Sequence, residues 1–395
     1  MNQKIDRLIH EKRSAFYVFD VGKLKRRIDF FKNHLPPGIS LCYAVKANPF
    51  VIKEIKDSLE RFEICSPGEA NICTSQGIEN HKMVISGIYK TPEVIENMIA
   101  DKAFHGVFTA ESILQYRLLC DFSEKYGRRI CVLLRLTNDS QFGMNESDIE
   151  TMIKERSSHP YLHLLGIQFF SGTQKTSTKK IKREIEYLDA FLFRLKENYG
   201  YEAEELEYGP GFPVPYFVSE KMDEKELFAA FSEFLGNMIC KPKIILELGR
   251  SIAASCGQYY TYIVDIKQNK GQNYVLIDGG MHHIVYFGQH MAMKHPYLSV
   301  IGKDNITSET TWTICGSLCS MNDILAKQIQ LPDIEIGDTL CFENAGAYCM
   351  TEGISLFLSR DIPAIYLAEE SGSLVCVRNT YETAALNTPK YERMF

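Results

Sequence analysis

One lysine is the first candidate for chemistry in this chain of 395 residues. Lys46 follows an apolar run that predicts a β-strand, and the turn-forming pair Asn48-Pro49 comes shortly after it. A lysine at a strand end can act as a Schiff-base nucleophile. On its own the pattern is weak, because most lysines after a strand are solvated surface charges. The assignment therefore depends on what accompanies Lys46 elsewhere in the chain.

Other residues able to do chemistry also follow predicted strands. Backbone N–H groups of a Gly-X-Gly turn can approach a phosphate closely, and an arginine can add a charge-assisted hydrogen bond. An ordinary tight turn is the commoner explanation of Gly-Pro-Gly alone. Combined with a lysine and a glutamate, the set indicates a site for a cofactor that carries an aldehyde and a phosphate. The residues are Glu63, Ser66, Phe170, Thr173, Gly209, Gly211, Glu247, Gly249 and Arg250.

The first part of the chain alternates between short β-rich runs and longer amphipathic stretches. Eight β-α units over about 220 residues are typical of a (β/α)8 TIM barrel, in which chemistry gathers at the carboxyl ends of the strands. Helical patterns such as 92–99, 111–126 and 179–199 separate the strands. The predicted strands are 40–45, 62–65, 83–86, 106–109, 130–136, 166–170, 205–208 and 244–247.

The pattern changes after Ser251 to strand-turn-strand. Segments 259–266 and 274–277 flank Asn269-Lys270-Gly271-Gln272, a turn sequence typical of a hairpin. The sequence therefore predicts an α/β barrel domain over 27–250. A β-rich domain, resembling a sandwich or small barrel, is predicted over 1–26 and 251–395.

Composition excludes several classes of protein. The net charge of −6 gives no attraction to nucleic acid or to an anionic membrane, and no apolar stretch is long enough to span a bilayer. The N-terminus lacks the apolar segment of a signal peptide, and the twelve cysteines show no disulfide framework. Cys315, Cys319 and the pair His282-His283 lack the spacing of a zinc site. We therefore expect a cytoplasmic protein with reduced thiols and no metal.

Six motifs, in this order, resemble those of the decarboxylases of ornithine, arginine and diaminopimelate, which use pyridoxal 5'-phosphate (PLP) on an alanine-racemase-like barrel. The resemblance extends over nearly the whole chain and implies PLP fold type III. The motifs are Tyr43-Ala44-Val45-Lys46-Ala47-Asn48, Glu63-Ile64-Cys65-Ser66-Pro67-Gly68-Glu69, Gly209-Pro210-Gly211-Phe212-Pro213, Glu247-Leu248-Gly249-Arg250, Gly316-Ser317-Leu318-Cys319-Ser320-Met321-Asn322-Asp323 and Phe342-Glu343-Asn344-Ala345-Gly346-Ala347-Tyr348.

The resemblance implies a role for each motif. Lys46 would form the Schiff base with PLP, and Glu247 would face the pyridine nitrogen. Cys319 would be the acid that returns a proton, reaching the site of a second subunit, so an obligate homodimer is implied. Ser320 and Asp323 would contact the substrate. The predicted cofactor contacts are Lys46, Glu63, Phe170, Thr173, Gly209, Gly211, Glu247, Gly249, Arg250 and Tyr348.

Glu247 favours decarboxylation over racemisation. A carboxylate beside the ring nitrogen keeps that nitrogen protonated, so the ring accepts the electron pair that remains when CO2 leaves. An arginine in its place would make the ring a weaker electron acceptor, as suits a racemase. An amino-acid racemase and a non-catalytic homologue that only binds a partner remain alternatives. The second is disfavoured because Lys46, Glu247, Arg250, Cys319 and Tyr348 are all present.

Departures from the family pattern concern the substrate. Ser320 replaces the acid that pairs with the distal ammonium of ornithine or diaminopimelate, and serine cannot supply that charge. Phe170 replaces a histidine that stacks on the cofactor, and Leu248 replaces a proline. The arginine that grips a distal carboxylate is not found after 278–283.

These departures resemble the branch that contains the carrier-protein-linked glutamate decarboxylase of butirosin biosynthesis. There an aromatic residue replaces the histidine and an uncharged residue follows the cysteine. The resemblance implies a conjugated or modified amino acid as substrate, for example a carrier-linked glutamyl group in a biosynthetic pathway. Free diaminopimelate, ornithine and lysine remain alternative substrates.

Overall fold

The chain divides into two compact units. A computed structural model describes residues 3–303 and 310–391. The barrel unit comprises Arg27–Pro213 and Asp223–Ser251, and the sheet unit comprises Met1–Arg26, Val214–Met222 and Ile252–Phe395. Residues 214–222 thus belong to the sheet unit, although they lie inside the range 27–250. Within that unit Asn344 Nδ2 donates to the carbonyl of Pro215 at 3.1 Å.

Strands and helices alternate through the barrel unit, and strands dominate the sheet unit. The strands are β1 (Phe16–Asp20), β2 (Ser40–Ala44), β3 (Arg61–Ile64), β4 (Met83–Ile85), β5 (Val107–Ala110), β6 (Ile130–Arg135), β7 (Leu162–Phe170), β8 (Glu205–Gly209), β9 (Lys243–Leu248), β10 (Gly257–Asn269), β11 (Gln272–Ile277), β12 (Leu298–Val300), β13 (Thr311–Cys315), β14 (Ile324–Gln330), β15 (Thr339–Phe342), β16 (Ala364–Ala368) and β17 (Leu374–Arg378). The helices are α1 (Gln3–Lys12), α2 (Val21–His34), α3 (Ile52–Ile55), α4 (Pro67–Ser75), α5 (Pro92–Ala100), α6 (Ile113–Lys125), α7 (Glu146–Lys154), α8 (Thr178–Tyr199), α9 (Glu224–Gly236), α10 (Arg250–Ala253) and α11 (Ala384–Asn387).

Strands β2 to β9 form a closed parallel barrel. The ring closes where β2 pairs with β9, with Cys42 opposite Glu247 and Tyr43 opposite Leu248. The predicted fold class, a TIM barrel with a β-rich domain, is confirmed. All eight predicted strands are present, and only β7 differs by much, since it starts at Leu162 rather than at Gly166.

The barrel interior contains an apolar layer and a charged layer. The charged layer is centred on Arg61, whose Nη1 lies 2.7 Å from Glu205 Oε2 and 3.7 Å from Glu207 Oε2. Gln168 Nε2 donates to Glu207 at 2.7 Å. Burial raises the pKa of Glu207 to about 7, although the Arg61 charge opposes the shift. The apolar layer consists of Cys42, Val84, Val107, Leu133, Leu165 and Ile245.

The sheet unit is built on a mixed sheet with the order β14-β13-β11-β10-β1-β16-β17, extended by β15 and β12. Strand β1 lies between β10, to which it is antiparallel, and β16, to which it is parallel. One face of β1 packs against α1, and the buried cluster includes Ile5, Ile9, Phe16, Val18 and Tyr260. The first strand of the chain is thus a central strand of a sheet formed mainly by its last third.

Buried His283 connects distant segments of the sheet unit. Its Nε2–H donates to the carbonyl of Asp361 at 2.8 Å. Because that nitrogen carries the proton, Nδ1 accepts from the hydroxyl of Tyr259 at 2.9 Å. The hydroxyl of Tyr17 donates to the His283 carbonyl at 2.7 Å. Burial lowers the pKa of His283 to about 4 and that of the adjacent His282 to about 3.

We expect the two histidines to destabilise the fold in mild acid. Their folded-state pKa values lie below the ordinary value of 6.5, so the unfolded chain binds more protons once the pH falls below 6.5. Stability is unaffected by them above about pH 7 and falls towards pH 4, by up to roughly 3 kcal/mol for His283. Urea denaturation at several pH values measures this. His283→Gln should have a lower free energy of unfolding at pH 7, and that free energy should fall less steeply towards acid pH. The exposed His10→Gln should match the wild type. An equal fall of the free energy of unfolding with pH in all three proteins would contradict the role of His283.

Candidate active site

Lys46 lies at the carboxyl end of the barrel, just beyond β2. The chain leaves β2 in a single 3-10 turn, Val45–Ala47. Buried Asn48 ends that turn and fixes the next, since its side chain accepts from the N–H of Phe50 at 3.0 Å. The Lys46 side chain remains 40% exposed, whereas the residues around it are buried. A rigid backbone thus presents an accessible amine.

Two carboxylates lie beside this amine. Lys46 Nζ is 2.5 Å from Glu63 Oε2 and 3.7 Å from Glu247 Oε1, and it donates to Cys65 Sγ at 3.4 Å. The Glu63 and Glu247 side chains are only 1% and 9% exposed. Both acids come from strands that pair with β2. Glu63 on β3 is opposite Ala44 of β2, and Glu247 on β9 is opposite Cys42 of β2. Strand pairing therefore brings together three residues that are far apart in sequence.

The two acids hold their protons differently. Burial by itself favours the neutral form of each. For Glu63, the Lys46 ammonium and hydrogen bonds from Glu247 and Lys46 overcome burial and lower the pKa to about 2. For Glu247, burial and the neighbouring Glu63 charge raise the pKa well above its ordinary value, against the weaker opposing effect of Lys46. The pair therefore holds one negative charge and one proton.

Ser66 and Glu69 form a capping box at the start of α4. Ser66 Oγ accepts from the N–H of Glu69 at 3.2 Å, and Glu69 Oε2 accepts from the N–H of Cys65 at 2.6 Å. This reciprocal pair fixes the turn that follows Glu63. The predicted phosphate contact of Ser66 stays a prediction.

A glycine cradle, defined as Gly172, Gly209 and Gly211, lies where β7 and β8 end. Gly211 has φ +63°, and a Cβ there would lie 2.0 Å from the carbonyl oxygen of Gly172. A Cβ on Gly209 would lie 2.5 Å from the ring of Phe170, which is its partner across the strands. Both close approaches require glycine. The cradle therefore depends on backbone contact between two loops.

Thr173 and Arg250 come together beside these loops. Arg250 follows Gly249 at the end of β9 and begins α10. Its Nε donates to Thr173 Oγ1 at 3.3 Å, and the side chain is largely buried. A buried guanidinium next to a hydroxyl and a glycine cradle is suited to an anion.

The sequence analysis missed a second ion pair at the same end of the barrel. Arg135 ends β6, and Glu111 follows β5 directly. Arg135 Nη1 lies 3.1 Å from Glu111 Oε1, and both side chains are buried. Both residues lie at the carboxyl ends of barrel strands, and that position could have identified them, as it identified Lys46 and Glu247.

The loop that carries Cys319 lies in the sheet unit, between β13 and β14. Cys319 is exposed, and Ser320 is partly exposed. Asp323 is 2% exposed, and its two oxygens accept from the N–H groups of Met281 and Leu318 at 2.7 and 2.8 Å. Asp323 thus orders this loop from within, and its predicted contact with substrate stays a prediction.

Tyr348 also lies in the sheet unit, between β15 and β16. Its backbone has φ +64°, which is uncommon for a residue other than glycine. The N–H groups of Thr351 and Glu352 donate to its carbonyl at 2.8 and 3.0 Å. Such a constrained backbone is frequent at functional sites. The predicted phosphate contact of Tyr348 is consistent with this strain but is not tested by it.

Residues 16–346 match the family described as "Pyridoxal-dependent decarboxylase, C-terminal sheet domain". The chain belongs to this family. It is therefore a PLP-dependent decarboxylase, a carboxy-lyase, as the motifs predicted. Within residues 3–303 and 310–391, no helix is long and apolar enough to cross a membrane, and no cluster of three or more His, Cys, Asp or Glu side chains could hold a metal ion.

Relatives of this decarboxylase differ in what they act on. One is the L-glutamyl-[BtrI acyl-carrier protein] decarboxylase of Niallia circulans, with 26% identity over 92% of this chain and 91% of the relative. Another is the 2-[(L-alanin-3-ylcarbamoyl)methyl]-2-hydroxybutanedioate decarboxylase of Staphylococcus aureus, with 24% identity over 89% and 94%. The diaminopimelate decarboxylase of Methanocaldococcus jannaschii has 25% identity over 87% and 82%. The structure of the M. jannaschii enzyme with L-lysine matches the fold with a TM-score of 0.84 over 96% and 92% of the two chains, at 22% identity.

The residues at the carboxyl end of the barrel fit PLP. An accessible amine, a buried carboxyl that holds a proton and an anion cradle lie on neighbouring strands, and they correspond to the aldehyde, ring nitrogen and phosphate of PLP. The glycines support this fit independently, since a Cβ at Gly209 or Gly211 would collide with its surroundings.

We expect Gly211→Ala to weaken PLP binding by at least about tenfold, because the added Cβ separates the two loops. Gly200→Ala is the matched control, since Gly200 has φ +57° but no atom within 4 Å of the position of its Cβ. Both substitutions pay backbone strain of about 1–2 kcal/mol, but only Gly211→Ala should lose the cofactor. Absorbance titration with PLP and thermal melting separate the two effects. Equal PLP affinity in the two variants would contradict the cradle.

We expect the enzyme with PLP to show an absorption band near the visible range that survives desalting. Lys46→Ala should abolish both this band and CO2 release. The reason is that the Lys46 amine is the available nucleophile beside the acid pair. The exposed Lys53→Ala is the control and should keep the band. A desalted Lys46→Ala protein that retained it would show that another lysine holds the cofactor.

Proposed function

We propose that this decarboxylase removes the α-carboxylate of an amino acid whose distal end is conjugated, such as a glutamyl group held on a carrier protein as a thioester. The observation that carries the proposal is the lack of an acidic side chain around a cavity beside the Cys319 loop. Met321 and Asn322, which directly follow Cys319 and Ser320, line this cavity.

The cavity has a volume of about 580 Å³, lies within the sheet unit and is mostly apolar. Its volume suits an organic ligand of moderate size. Among the described residues that line it there is no Asp or Glu, and Lys327 is the single charged residue. The lining residues are Met281, Ile284, Val285, Tyr286, Gln289, Met291, Ala292, Pro296, Met321, Asn322, Ile324, Leu325, Lys327 and Phe342.

An apolar cavity without an acid disfavours a cationic substrate end. The distal ammonium of ornithine or lysine would lose its hydration there without gaining a carboxylate partner. Diaminopimelate carries a distal ammonium as well, so Lys327 could pair with only one of its two distal charges. A thioester or amide has no charge to bury, and its chain can pack against methionine side chains.

Two relatives support the proposal through the names of their substrates. The Niallia circulans relative acts on a glutamyl group linked to an acyl-carrier protein, and the Staphylococcus aureus relative acts on an alanyl group joined through a carbamoyl linkage. In both names the amino acid is part of a larger conjugate. The diaminopimelate decarboxylases among the relatives keep a free basic amino acid as the alternative.

The geometry of the barrel supports the roles that we propose for its residues. Bound PLP supplies an aldehyde that condenses with amines and a ring that accepts the electron pair left by departing CO2. Lys46 would hold the cofactor through its side-chain amine. Glu247, whose pKa is raised by burial and by the neighbouring Glu63 charge, would face the ring nitrogen and hold a proton there. Gly209, Gly211, Thr173 and Arg250 would hold the phosphate, and the predicted contact of Tyr348 is a separate proposal.

Cys319 completes the proposal as proton donor. A thiol titrates closer to neutrality than a hydroxyl, and the exposed position of Cys319 leaves it open to a second molecule. We propose that the enzyme acts as a homodimer, in which Cys319 serves the site of the second copy.

We expect the PLP-loaded enzyme to decarboxylate the γ-glutamyl thioester of pantetheine with a kcat/KM at least about 100-fold above that for free glutamate, ornithine, lysine or diaminopimelate. Release of CO2, checked by the corresponding mass loss in the product, measures this. Rapid CO2 release from free ornithine or diaminopimelate would contradict the conjugated substrate. Exchange of the α-hydrogen with solvent deuterium without CO2 release would instead favour a racemase.

Ser320→Asp tests the charge argument within the same experiment. The added carboxylate should raise the ratio of kcat/KM for ornithine to that for the thioester at least about tenfold, because it supplies the missing partner of the ammonium. Ser320→Asn is the control, because asparagine has nearly the same shape as aspartate but no charge. If the two variants changed the ratio equally, size rather than charge would be responsible.

A further inference from the structure

One buried carboxylate on α8 accepts hydrogen bonds from three side chains. Tyr208 Oη donates to Glu184 Oε2 at 2.7 Å, and Lys175 Nζ donates to the same oxygen at 2.6 Å. The hydroxyl of Ser171 donates to Oε1. Glu184 is only 9% exposed, which is unusual for a glutamate in the middle of a long helix.

Two of the donors come from the loop after β7, and the third lies at the end of β8, next to the second loop of the glycine cradle. Ser171 and Lys175 flank Gly172 and Thr173 in the loop after β7, and Tyr208 directly precedes Gly209. A backbone bond adds to these contacts, since the N–H of Lys175 donates to the carbonyl of Gly211 at 2.9 Å. Glu184 thus ties both loops to one point on α8.

We infer that Glu184 is a positioning residue for the phosphate of the cofactor, holding Thr173 and the glycine cradle at the spacing that an anion needs. This inference rests on the proposed phosphate contacts of Thr173, Gly209 and Gly211. Glu184 acts through Ser171, Lys175 and Tyr208 and does not itself touch the phosphate.

The charge of Glu184 is essential to this role. Lys175 is almost fully buried, and burial lowers its pKa while the hydrogen bond and charge of Glu184 oppose that shift. A neutral residue at 184 leaves a buried ammonium without its counter-charge, which is costly enough to displace the lysine. Lys175 is part of the loop, so its displacement moves the backbone at Thr173.

Two forms of the cofactor separate a phosphate role from a general structural role. Pyridoxal has the ring and aldehyde of PLP but no phosphate. If Glu184 acts through the phosphate loops, Glu184→Gln weakens PLP binding about tenfold and changes pyridoxal binding less than about twofold. Absorbance titration of the cofactor-free enzyme gives both affinities, independently of activity.

Glu186→Gln is the matched control. Glu186 lies two residues further along α8, is exposed, and only approaches Lys182 at 3.8 Å. It should bind both PLP and pyridoxal like the wild type. Tyr208→Phe removes one of the three donors while keeping the ring, so it tests the same role if Glu184→Gln fails to fold; it should lose PLP affinity by a smaller factor.

Each other outcome overturns the inference at a defined step. Unchanged PLP affinity in both Glu184→Gln and Tyr208→Phe, or an equal loss for PLP and pyridoxal, contradicts the positioning role. If the wild type itself binds PLP no more tightly than pyridoxal, the proposed phosphate site fails, and this inference fails with it. The substrate does not enter either titration, so a wrong proposal about the substrate leaves the result unaffected.

Discussion

The placement of two carboxylates beside one ammonium is the constraint on which the barrel unit depends. Isolated charges are expensive to bury, so Glu63 and Glu247 can share the interior only if one is paired and the other holds a proton. Lys46 supplies the pairing charge, and it lies at the end of the strand between them. The pair Cys42 and Glu247 marks the closing seam of the barrel. The strand pair that closes the barrel therefore also carries residues of the candidate active site.

The same rule organises the rest of the charged interior. Arg61 neutralises Glu205, and Arg135 neutralises Glu111. Glu184 extends the pattern to the outside of the ring, where its partner Lys175 belongs to a loop instead of a strand. Charges fixed on strands give a rigid centre, whereas the loop that binds the anion needs its own anchor on a helix.

Sequence patterns were sufficient for the fold and for part of the site. The barrel strands are short β-rich runs between amphipathic helices, so their positions followed from periodicity, and residues just beyond them were natural candidates. Glu184 stands at helical spacing from Ile181 and Leu188, so the period of α8 places it on the buried face, but the pattern names no partner for its charge. Its burial depends on Tyr208 and Ser171, which periodicity does not bring near it. The early start of β7 was missed because polar His163 interrupts its apolar pattern.

The central position of β1 has a consequence for synthesis of the protein on the ribosome. Residues 16–20 emerge before the other strands of the sheet, yet one of their two strand partners is 364–368. The barrel strands are complete once residue 248 has emerged, so the ring can close while the N-terminal strand still lacks a neighbour. Until the last part of the chain appears, β1 has an unpaired edge lined by Phe16, Val18 and other apolar side chains. We therefore expect the sheet unit to be completed after the barrel, and a chain truncated before residue 364 to keep that edge exposed.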